Sequence, residues 1–487
     1  MRITQHPILT FDKKQQILFS YNGKKTIALR GESIAAALAA NGVQTLSHSL
    51  RYDRPRGFFC GIGKCSSCFM TVDDVPNVRT CIVPVQENMQ VLEQEKTGKL
   101  SEKSFPLKKK KTITGEIVIV GSGPAGMMAA LTAAEQGASS VILIDDNPLP
   151  GGQLIKQTHK FFGSSAEKAG TRGIHIAEEL LKQIREKKSI RVMVSTTVLG
   201  YYQGVKTHRL IAVTRTAQSD QLLDISCKRI IFACGAMENM LAFPGNDLPG
   251  VYGAGGVQTL MNVFGVKPGD NVIMVGAGNV GLIVSYQLLQ AGVVVDRVVE
   301  ALPKIGGYHV HAAKLRRCGV PIYTSHTVKE AYGKNKVEGA VVIAVDEHFR
   351  PVKNSEEKVP CDTICLAVGL TPSIRLLEQA GVKTRFIPEA GGYVALHDPL
   401  MQTSIEGIYV AGDASGIEEA STAMIEGQLA GVTAAFSLGY KKQNAKKMQQ
   451  RFQDALNVFR SGPFGANPRI CKEKITCLCE EGGMTHY

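Results

Sequence analysis

The chain has 487 residues, of which 44% are hydrophobic, so it is long and apolar enough to bury the cores of two to four domains. Its formal net charge is +13, but only 20% of the residues are charged. The densest basic run, 108–111, lies beside a proline, and we interpret it as a solvated linker. We therefore expect no nucleic-acid partner, and the basic balance favours an acidic protein partner.

The start of the chain lacks the continuous apolar core of a signal peptide, and no later stretch approaches the roughly 20 apolar residues of a membrane span. We therefore expect a cytoplasmic protein without a membrane span. In that reducing compartment, the twelve cysteines suit metal ligation or buried positions better than disulfides.

Residues 1–100 form the first expected unit. Two strand-like runs flank a turn at 21–23, a helix-like segment ends at Gly42, and a cysteine-rich loop follows. This order is typical of a small β-grasp domain. A polar linker is expected over 101–114.

The cysteine-rich loop carries the most specific motif in the chain. Its spacing is C-x4-C-x2-C with a fourth cysteine beyond a short hairpin, which matches the plant-type 2Fe-2S ferredoxin pattern. Two glycines allow the loop to turn its backbone N–H groups toward the cluster. Zinc and unrelated buried thiols are the alternatives, but zinc sites favour paired C-x2-C knuckles. The predicted cluster ligands are Cys60, Cys65, Cys68 and Cys81.

A strand-like run from residue 116 leads into a G-x-G-x-x-G turn and an Ala-rich helix, and an acidic residue ends the next strand. The glycines would bring a pyrophosphate to the helix N-terminus, and the carboxylate would accept a hydrogen bond from a ribose. The predicted cofactor-binding residues here are Gly121, Gly123, Pro124, Ala125, Gly126 and Asp145.

Two further segments favour FAD at this first site. Gly152 and Gln153 lie in a turn suited to the isoalloxazine, with an ordinary surface loop as the alternative. Near the end of the chain, Gly412 and Asp413 follow a second apolar strand, and Asp413 could hold the ribityl or phosphate end of FAD.

The strand, glycine turn and helix recur, with Gly276, Gly278 and Gly281 followed by Glu300. Since an acid at this position repels a 2′-phosphate, NAD or another adenine nucleotide fits this site better than NADP. A Rossmann unit that binds nothing is the alternative. The pattern predicts an α/β chain with tandem Rossmann-like domains, of the disulfide-reductase type, after the β-grasp domain.

The expected domain bounds follow from these motifs. The first nucleotide-binding domain covers 115–265 and is completed by a return segment at 371–440, and the second covers 266–370. Residues 441–487 are expected to form a tail that finishes on a partner, with a partial cysteine motif. The remaining thiols lack a C-x-x-C redox pair, which disfavours dithiol chemistry. His309 and His311 are assigned no role.

The whole chain resembles the alpha subunits of heteromeric FAD-dependent amine and imino acid dehydrogenases, such as those for sarcosine, opines, proline and hydroxyproline, and hydrogen cyanide synthase. The segments RGFFCGIGKCSSC, NVRTC, GSGPAG, GGQL, residues 235–262, GAGNVG and AGDASG carry this resemblance. It implies a D-amino-acid-oxidase-like beta subunit that oxidises the substrate, an FMN at the subunit interface, and FAD, NAD or ATP in the alpha nucleotide sites.

The leading hypothesis is an oxidoreductase subunit that passes electrons from the flavin through the cluster to a downstream acceptor. The retained cluster cysteines, and an end too early for the extra C-terminal domain of sarcosine oxidase alpha, favour a dehydrogenase component. The alternatives are a self-sufficient NADH:acceptor reductase and a scaffold that uses bound nucleotide only for structure.

Overall fold

The computed structural model describes residues 1–11, 15–94, 96–99, 110–204, 207–215, 220–440 and 444–481. The fold consists of two compact units, each built from two separate stretches of the chain. Unit 1 contains Met1–Phe105 and Glu238–Gly369, and unit 2 contains Pro106–Met237 and Leu370–Tyr487.

The strands are, in chain order, β1 Gln16–Tyr21, β2 Lys24–Leu29, β3 Ser47–His48, β4 Pro55–Arg56, β5 Phe69–Val72, β6 Val75–Arg79, β7 Gln90–Glu93, β8 Lys111–Val120, β9 Val141–Ile144, β10 Ile190–Met193, β11 Thr196–Gln203, β12 His208–Arg215, β13 Asp220–Phe232, β14 Ala236–Glu238, β15 Val251–Gly253, β16 Asn271–Val275, β17 Val294–Glu300, β18 Ile322–Thr324, β19 His326–Tyr332, β20 Gly339–Ala344, β21 Glu357–Val359, β22 Thr363–Leu366, β23 Leu370–Pro372, β24 Thr384–Ile387, β25 Gly392–Ala395 and β26 Ile408–Val410. The α-helices are α1 Ile34–Ala40, α2 Pro124–Glu135, α3 Gly173–Glu186, α4 Ala254–Gln258, α5 Asn279–Gln290, α6 His309–Arg317, α7 Arg375–Gln379, α8 Ala420–Ser437, α9 Ala445–Ser461 and α10 Ala466–Glu481.

Unit 1 begins with a five-stranded sheet in the order β2-β1-β7-β5-β6. The parallel pairing of β1 with β7, between two antiparallel pairs, and the helix α1 give it the expected β-grasp character. The Ser33 hydroxyl accepts a hydrogen bond from Ala36 N at 3.2 Å and so caps the first turn of α1. Because α1 is almost entirely buried, its alanine-rich sequence packs closely on the sheet.

The rest of unit 1 is built on a parallel sheet in the order β15-β22-β16-β17-β18, with the antiparallel ribbon β19-β20-β21. Its strands are nearly continuous Val and Ile runs, as expected for a parallel sheet covered on both faces. Side chains of the β-grasp part and of α4 and α5 belong to one continuous hydrophobic core. The cysteine-rich domain and the second nucleotide-binding domain therefore fold as one unit.

Unit 2 contains a seven-stranded sheet in the order β10-β9-β8-β13-β12-β11, and β26 also pairs with β13. Helices α2 and α8 pack closely because glycines face the α2 backbone. A Cβ added at Gly427 would lie 2.1 Å from Ala125 O, and one at Gly431 would lie 2.5 Å from Ala129 O.

The sequence pattern and the structure differ at three boundaries. Residues 238–265, expected in the first nucleotide-binding domain, belong to unit 1, because β15 pairs with β22 and α4 packs on α5. Strand β8 begins at Lys111, inside the range 101–114 expected as a linker, and 101–109 lie outside the described residues. The expected tail contains helices α9 and α10, and α9 buries Phe452 and Leu456 on unit 2.

Within the described ranges, every helix is too short or too polar to cross a lipid bilayer.

Candidate functional site

The cysteine-rich loop brings the four predicted ligand thiols together in unit 1. Gly61 and Gly63 adopt left-handed conformations with φ of 64° and 69°. The turns aim backbone donors at sulfur: Gly63 N donates to Cys81 Sγ at 3.2 Å, and Lys64 N donates to Cys60 Sγ at 3.4 Å. Hydrogen bonds of this kind stabilise thiolate charge, which a cluster ligand requires.

The four thiols contact one another in a chain, and their pKa values respond to these contacts. Hydrogen bonds from Cys65 and Cys81 lower the pKa of Cys60, and one from Cys81 lowers that of Cys68. The pKa values of Cys65 and Cys81 are raised, first by the same contacts and then by burial. Among the described residues, no group of three or more His, Cys, Asp or Glu is arranged to hold a single metal ion.

The cysteine loop is seated on the segment that begins the second nucleotide-binding domain. Phe59 O accepts a hydrogen bond from Gly253 N at 3.2 Å. A Cβ added at Gly256 would lie 1.9 Å from the same carbonyl oxygen, so only glycine permits this approach. A π-helical turn, Thr259–Val263, follows directly. This contact explains part of the 235–262 stretch, which the sequence alone could not assign to the cluster.

The first glycine turn joins β8 to α2 in unit 2. Gly121 has φ of 106°, and a Cβ added to it would lie 2.1 Å from Ala233 O. A Cβ at Gly126 would lie 1.8 Å from Gly121 O, whereas one at Gly123 would meet nothing closer than 3.9 Å. The outer glycines are thus required by packing, and the middle one leaves open space beside the N-terminus of α2 for a pyrophosphate.

Asp145 lies at the end of β9, where the sequence predicts it, but its carboxylate is directed at the glycine turn. Oδ2 accepts hydrogen bonds from Ser122 N at 2.6 Å and Ser122 Oγ at 2.7 Å, and Oδ1 accepts one from Asn147 N at 2.8 Å. Burial, reinforced by the neighbouring Asp146, raises the pKa of Asp145. The carboxylate orders the loop, and its role toward a ribose stays a prediction.

The second glycine turn, in unit 1, repeats this arrangement almost atom for atom. A Cβ at Gly281 would lie 2.0 Å from Gly276 O, and one at Gly278 would meet nothing within 4 Å. Glu300 Oε2 accepts a hydrogen bond from Ala277 N at 2.7 Å, and Oε1 accepts one from Leu302 N at 3.0 Å. The sequence duplication therefore extends to the hydrogen bonds of the acidic residue.

A glycine pair closes each turn. In unit 2, Gly151 N donates to Ser122 O at 2.9 Å, and a Cβ at Gly152 would lie 2.6 Å from Gly123 Cα. In unit 1, Gly307 N donates to Ala277 O at 2.9 Å. The glycine pair 306–307 was missed in the sequence, although its spelling GGY parallels GGQ at 151–153. Gln153 lies in a short 3-10 helix, Gly152–Lys156, after the first pair.

The third element of the first site is the 3-10 turn Gly412–Ser415 after β26. Gly412 has φ of 70°, and a Cβ added to it would lie 2.9 Å from Ala125 Cβ, so the turn lies against the start of α2. Asp413 is partly exposed while the other turn residues are buried. Burial raises the pKa of Asp413 to about 7.

Beneath this turn is a buried charge network that the sequence did not reveal. Glu426 of α8, 2% exposed, contacts Arg460 of α9 at 2.7 Å and Lys472 of α10 at 2.8 Å. Arg460 also binds Glu418 at 2.8 Å. His397, 3% exposed, adjoins the network, and its ring Nδ1 lies 2.8 Å from Asp398 O.

We expect His397 to make unit 2 sensitive to acid. Burial first, then Lys472 and Arg460, lower its pKa to about 4, whereas Glu426 opposes this effect. Since the unfolded chain takes up this proton near pH 6.5, the stabilisation present above that pH is lost as pH falls to about 4. The loss is about 3 kcal/mol.

The measurement is the free energy of urea unfolding of wild type minus that of His397→Gln, from pH 7 to pH 4. The difference is taken because Asp413, with its raised pKa, has the opposite slope in the same range. A difference that does not change with pH would contradict the assignment to His397.

The remaining cysteines and histidines do not form a second reactive group. All twelve cysteines fall within the described ranges, and none of them is in a disulfide. Cys227, Cys361 and Cys365 are buried, and burial raises the pKa of each thiol. His309 and His311 lie on helix α6, not on a strand, and His311 is buried.

Tandem dinucleotide-binding folds, one completed by a Gly-Asp turn, define a dinucleotide-dependent oxidoreductase. The family model described as pyridine nucleotide-disulphide oxidoreductase matches residues 115–427. The chain therefore belongs to that family. A second model, described as a 2Fe-2S iron-sulfur cluster binding domain, matches residues 14–96. The protein is a flavin-dependent oxidoreductase whose cofactors are FAD and a 2Fe-2S cluster.

Two curated relatives cover most of the chain. The sarcosine oxidase alpha subunit of Rhizobium meliloti (strain 1021) is 25% identical over 476 residues, covering 85% of this chain and 45% of its own length. An opine oxidase subunit from Agrobacterium tumefaciens (strain Ach5) is 26% identical over 396 residues, covering 75% and 76%. The chain thus spans about half the length of the sarcosine oxidase relatives. The resemblance to this group of alpha subunits is confirmed.

Solved structures confirm the fold class. L-proline dehydrogenase from P. horikoshii matches with a TM-score of 0.67 and 26% identity, covering 92% of this chain and 79% of that one. Thioredoxin reductase from T. acidophilum matches with a TM-score of 0.53 and 20% identity, covering 67% of this chain and 99% of its own. The second match shows the two-domain dinucleotide-binding fold alone.

Proposed function

We propose that this chain is the electron-transfer alpha subunit of a heteromeric amine or imino acid dehydrogenase. The observation that carries the proposal is the four-cysteine loop with N–H donors on sulfur, Cys60–Cys81, in a chain that also holds a flavin fold. A flavin accepts two electrons together and releases them singly, which suits delivery to a one-electron cluster. The protein's own part is to hold both groups and stabilise their charge.

FAD is assigned to the first glycine turn, in unit 2. The support is the Gly412–Ser415 turn, which lies against the start of α2 beside the open space at Gly123. In this proposal Asp413 accepts hydrogen bonds from the ribityl hydroxyls, and Gly152 and Gln153 lie beside the ring system. The second turn, in unit 1, takes NAD or ATP, with Glu300 holding its loop.

The substrate belongs to the class of proline, hydroxyproline, sarcosine, glycine and opines, and a partner subunit resembling D-amino-acid oxidases oxidises it. This part of the proposal is supported by the names of the relatives, which are oxidase or dehydrogenase subunits. An FMN at the subunit interface and a downstream electron acceptor complete it. Co-purification from the native host, with mass identification of the partner and extracted cofactors, tests it. A homogeneous single-chain enzyme that oxidises the amine by itself would contradict it.

We expect Gly123→Ala to remove the flavin and Gly278→Ala to leave it bound. An added methyl group meets open space at both positions, so both variants fold, but each methyl occupies the place of a pyrophosphate. The loss of FAD should exceed about 10-fold in affinity. Flavin content after dialysis, read from absorbance and extraction, is the measurement. If Gly278→Ala alone lost the flavin, the two sites would be reversed.

The alternative function is a self-sufficient NADH:acceptor reductase. It is supported by the second turn, because Gly278, Glu300 and the glycine pair 306–307 reproduce the geometry of the first turn. Stopped-flow mixing with NADH discriminates the two functions. Flavin bleaching within the catalytic time scale would favour the reductase, and NADH without effect on the flavin would favour the alpha-subunit function.

We also place the protein in the cytoplasm. Twelve cysteines outside any disulfide, four of them ligands to a cluster, suit a reducing compartment.

A further inference from the structure

We propose that Lys472 and Arg460, carried by the two C-terminal helices, position the flavin-binding turn Gly412–Ser415 through Glu426. The helices α9 and α10 are then part of the cofactor site, and Lys472 is a positioning residue for FAD. This inference rests on the proposed function only in assigning FAD to the first nucleotide site.

Glu426 ties the turn to helix α8. Its Oε2 accepts a hydrogen bond from Gly412 N at 2.9 Å and another from Ser415 Oγ at 2.9 Å. These donors stand at the two ends of the turn, so one carboxylate oxygen sets the position of the whole turn. Ser415 is fully buried, and water is therefore a poor substitute for these bonds.

The second oxygen of Glu426 receives the two cations. Arg460 Nη2 lies 2.7 Å from Oε1, and Lys472 Nζ lies 2.8 Å from it. Burial alone would raise the pKa of Glu426, but Lys472 and Arg460 outweigh it and lower the pKa to about 2. Glu426 is thus held as a carboxylate, the form that accepts from both ends of the turn.

Lys472 also binds the turn directly. Its Nζ donates to Ser415 O at 2.7 Å and to Ser415 Oγ. Of the turn residues, only Asp413 is left with partly exposed side-chain surface, and Asp413 is the residue proposed to face the cofactor. A shift of the anchored residues therefore moves Asp413 relative to the flavin.

The network is built for a defined geometry more than for stability. A buried ion pair adds little net stability, because desolvation of the charges offsets their attraction. Charged side chains from three helices nevertheless converge beneath one turn, and the added cost is understandable if the turn must be fixed to bind a ligand. This argument connects the C-terminal helices to the cofactor and not only to the core.

The test compares Lys472→Met with Lys474→Met in the full-length holoprotein. Lys474 lies on the same helix, but it makes an exposed ion pair with Glu389 at 2.7 Å, away from the turn. We expect Lys472→Met to bind FAD at least about 10-fold more weakly, with a changed flavin absorption spectrum and midpoint potential. Lys474→Met should match wild type, and Lys472→Arg should restore most of the affinity.

Ser415→Ala is the second variant, because it removes a hydroxyl at the junction of Glu426 and Lys472 and leaves no charge unpaired. It should weaken FAD in the same direction as Lys472→Met, by about 3-fold or more. The 2Fe-2S content and circular dichroism of each variant report whether the chain has folded.

FAD affinity and flavin potential of Ser415→Ala equal to those of Lys474→Met would overturn the positioning role, even if Lys472→Met failed to fold. Absence of FAD from wild type and Lys474→Met alike would instead reject the proposed flavin site. The two failures are therefore distinguishable.

Discussion

Replacing Cys65 with Ser is expected to abolish the visible absorption of the 2Fe-2S cluster while FAD stays bound. A serine hydroxyl is a poor ligand for iron that requires soft thiolates. Cys65 is only half-buried, whereas Cys60, Cys68 and Cys81 are buried, so this substitution disturbs packing least. Iron, acid-labile sulfide and extracted flavin per chain are the measurements.

Cys318→Ser is the matched control, because Cys318 is an exposed thiol in the same unit. It should retain full iron, sulfide and flavin. Since the cysteine loop and the second nucleotide-binding domain share a core, Cys65→Ser should also lower the thermal stability of unit 1. Retention of full iron and sulfide by Cys65→Ser would refute the ligand assignment.

Local sequence signals predicted those parts of the site that depend on neighbours in the chain. The spacing of Cys60, Cys65 and Cys68 predicted a loop whose thiols meet, and the structure brings them together with Cys81. The two G-x-G-x-x-G turns were located by their strands and helices, and the same steric requirement recurs in both. Such features are readable because each one is fixed within a few residues.

Features that depend on distant pairing were not readable. Residues 238–265 follow the first Rossmann motif in sequence, but the pairing of β15 with β22 brings them into unit 1. Lys- and Gln-rich composition after residue 440 indicated a tail. The helix α9 nevertheless buries Phe452 and Leu456, at the spacing of one helical turn, and this weak periodicity was the available signal.

The buried charges were the least predictable part of the site. Glu426, Arg460 and Lys472 are spaced 34 and 12 residues apart, on three helices, and each would be interpreted as a surface charge from sequence alone. Their pairing depends on how α8, α9 and α10 pack. Likewise, Asp145 was expected to hold a ribose, and the structure adds its hydrogen bonds to Ser122, which only the closed loop reveals.

Gly126→Ala is expected to destabilise unit 2 severely, although it adds only one methyl group to a helix. That methyl would lie 1.8 Å from Gly121 O, and both atoms belong to the backbone, so no side-chain rotation relieves the overlap. The expected loss in the free energy of unfolding is at least about 3 kcal/mol, at the upper end of overpacking effects.

Gly123→Ala is the control for this substitution, because it lies three residues away in the same turn and has open space around its Cβ. Its free energy of unfolding in the absence of FAD should stay within about 1 kcal/mol of wild type. Urea unfolding of both variants without added FAD separates packing from cofactor binding. Equal stabilities would mean that α2 lies farther from the turn than described, and the close helix–strand packing assigned to the third glycine would then be wrong in both units, since Gly281 has the same contact with Gly276 O.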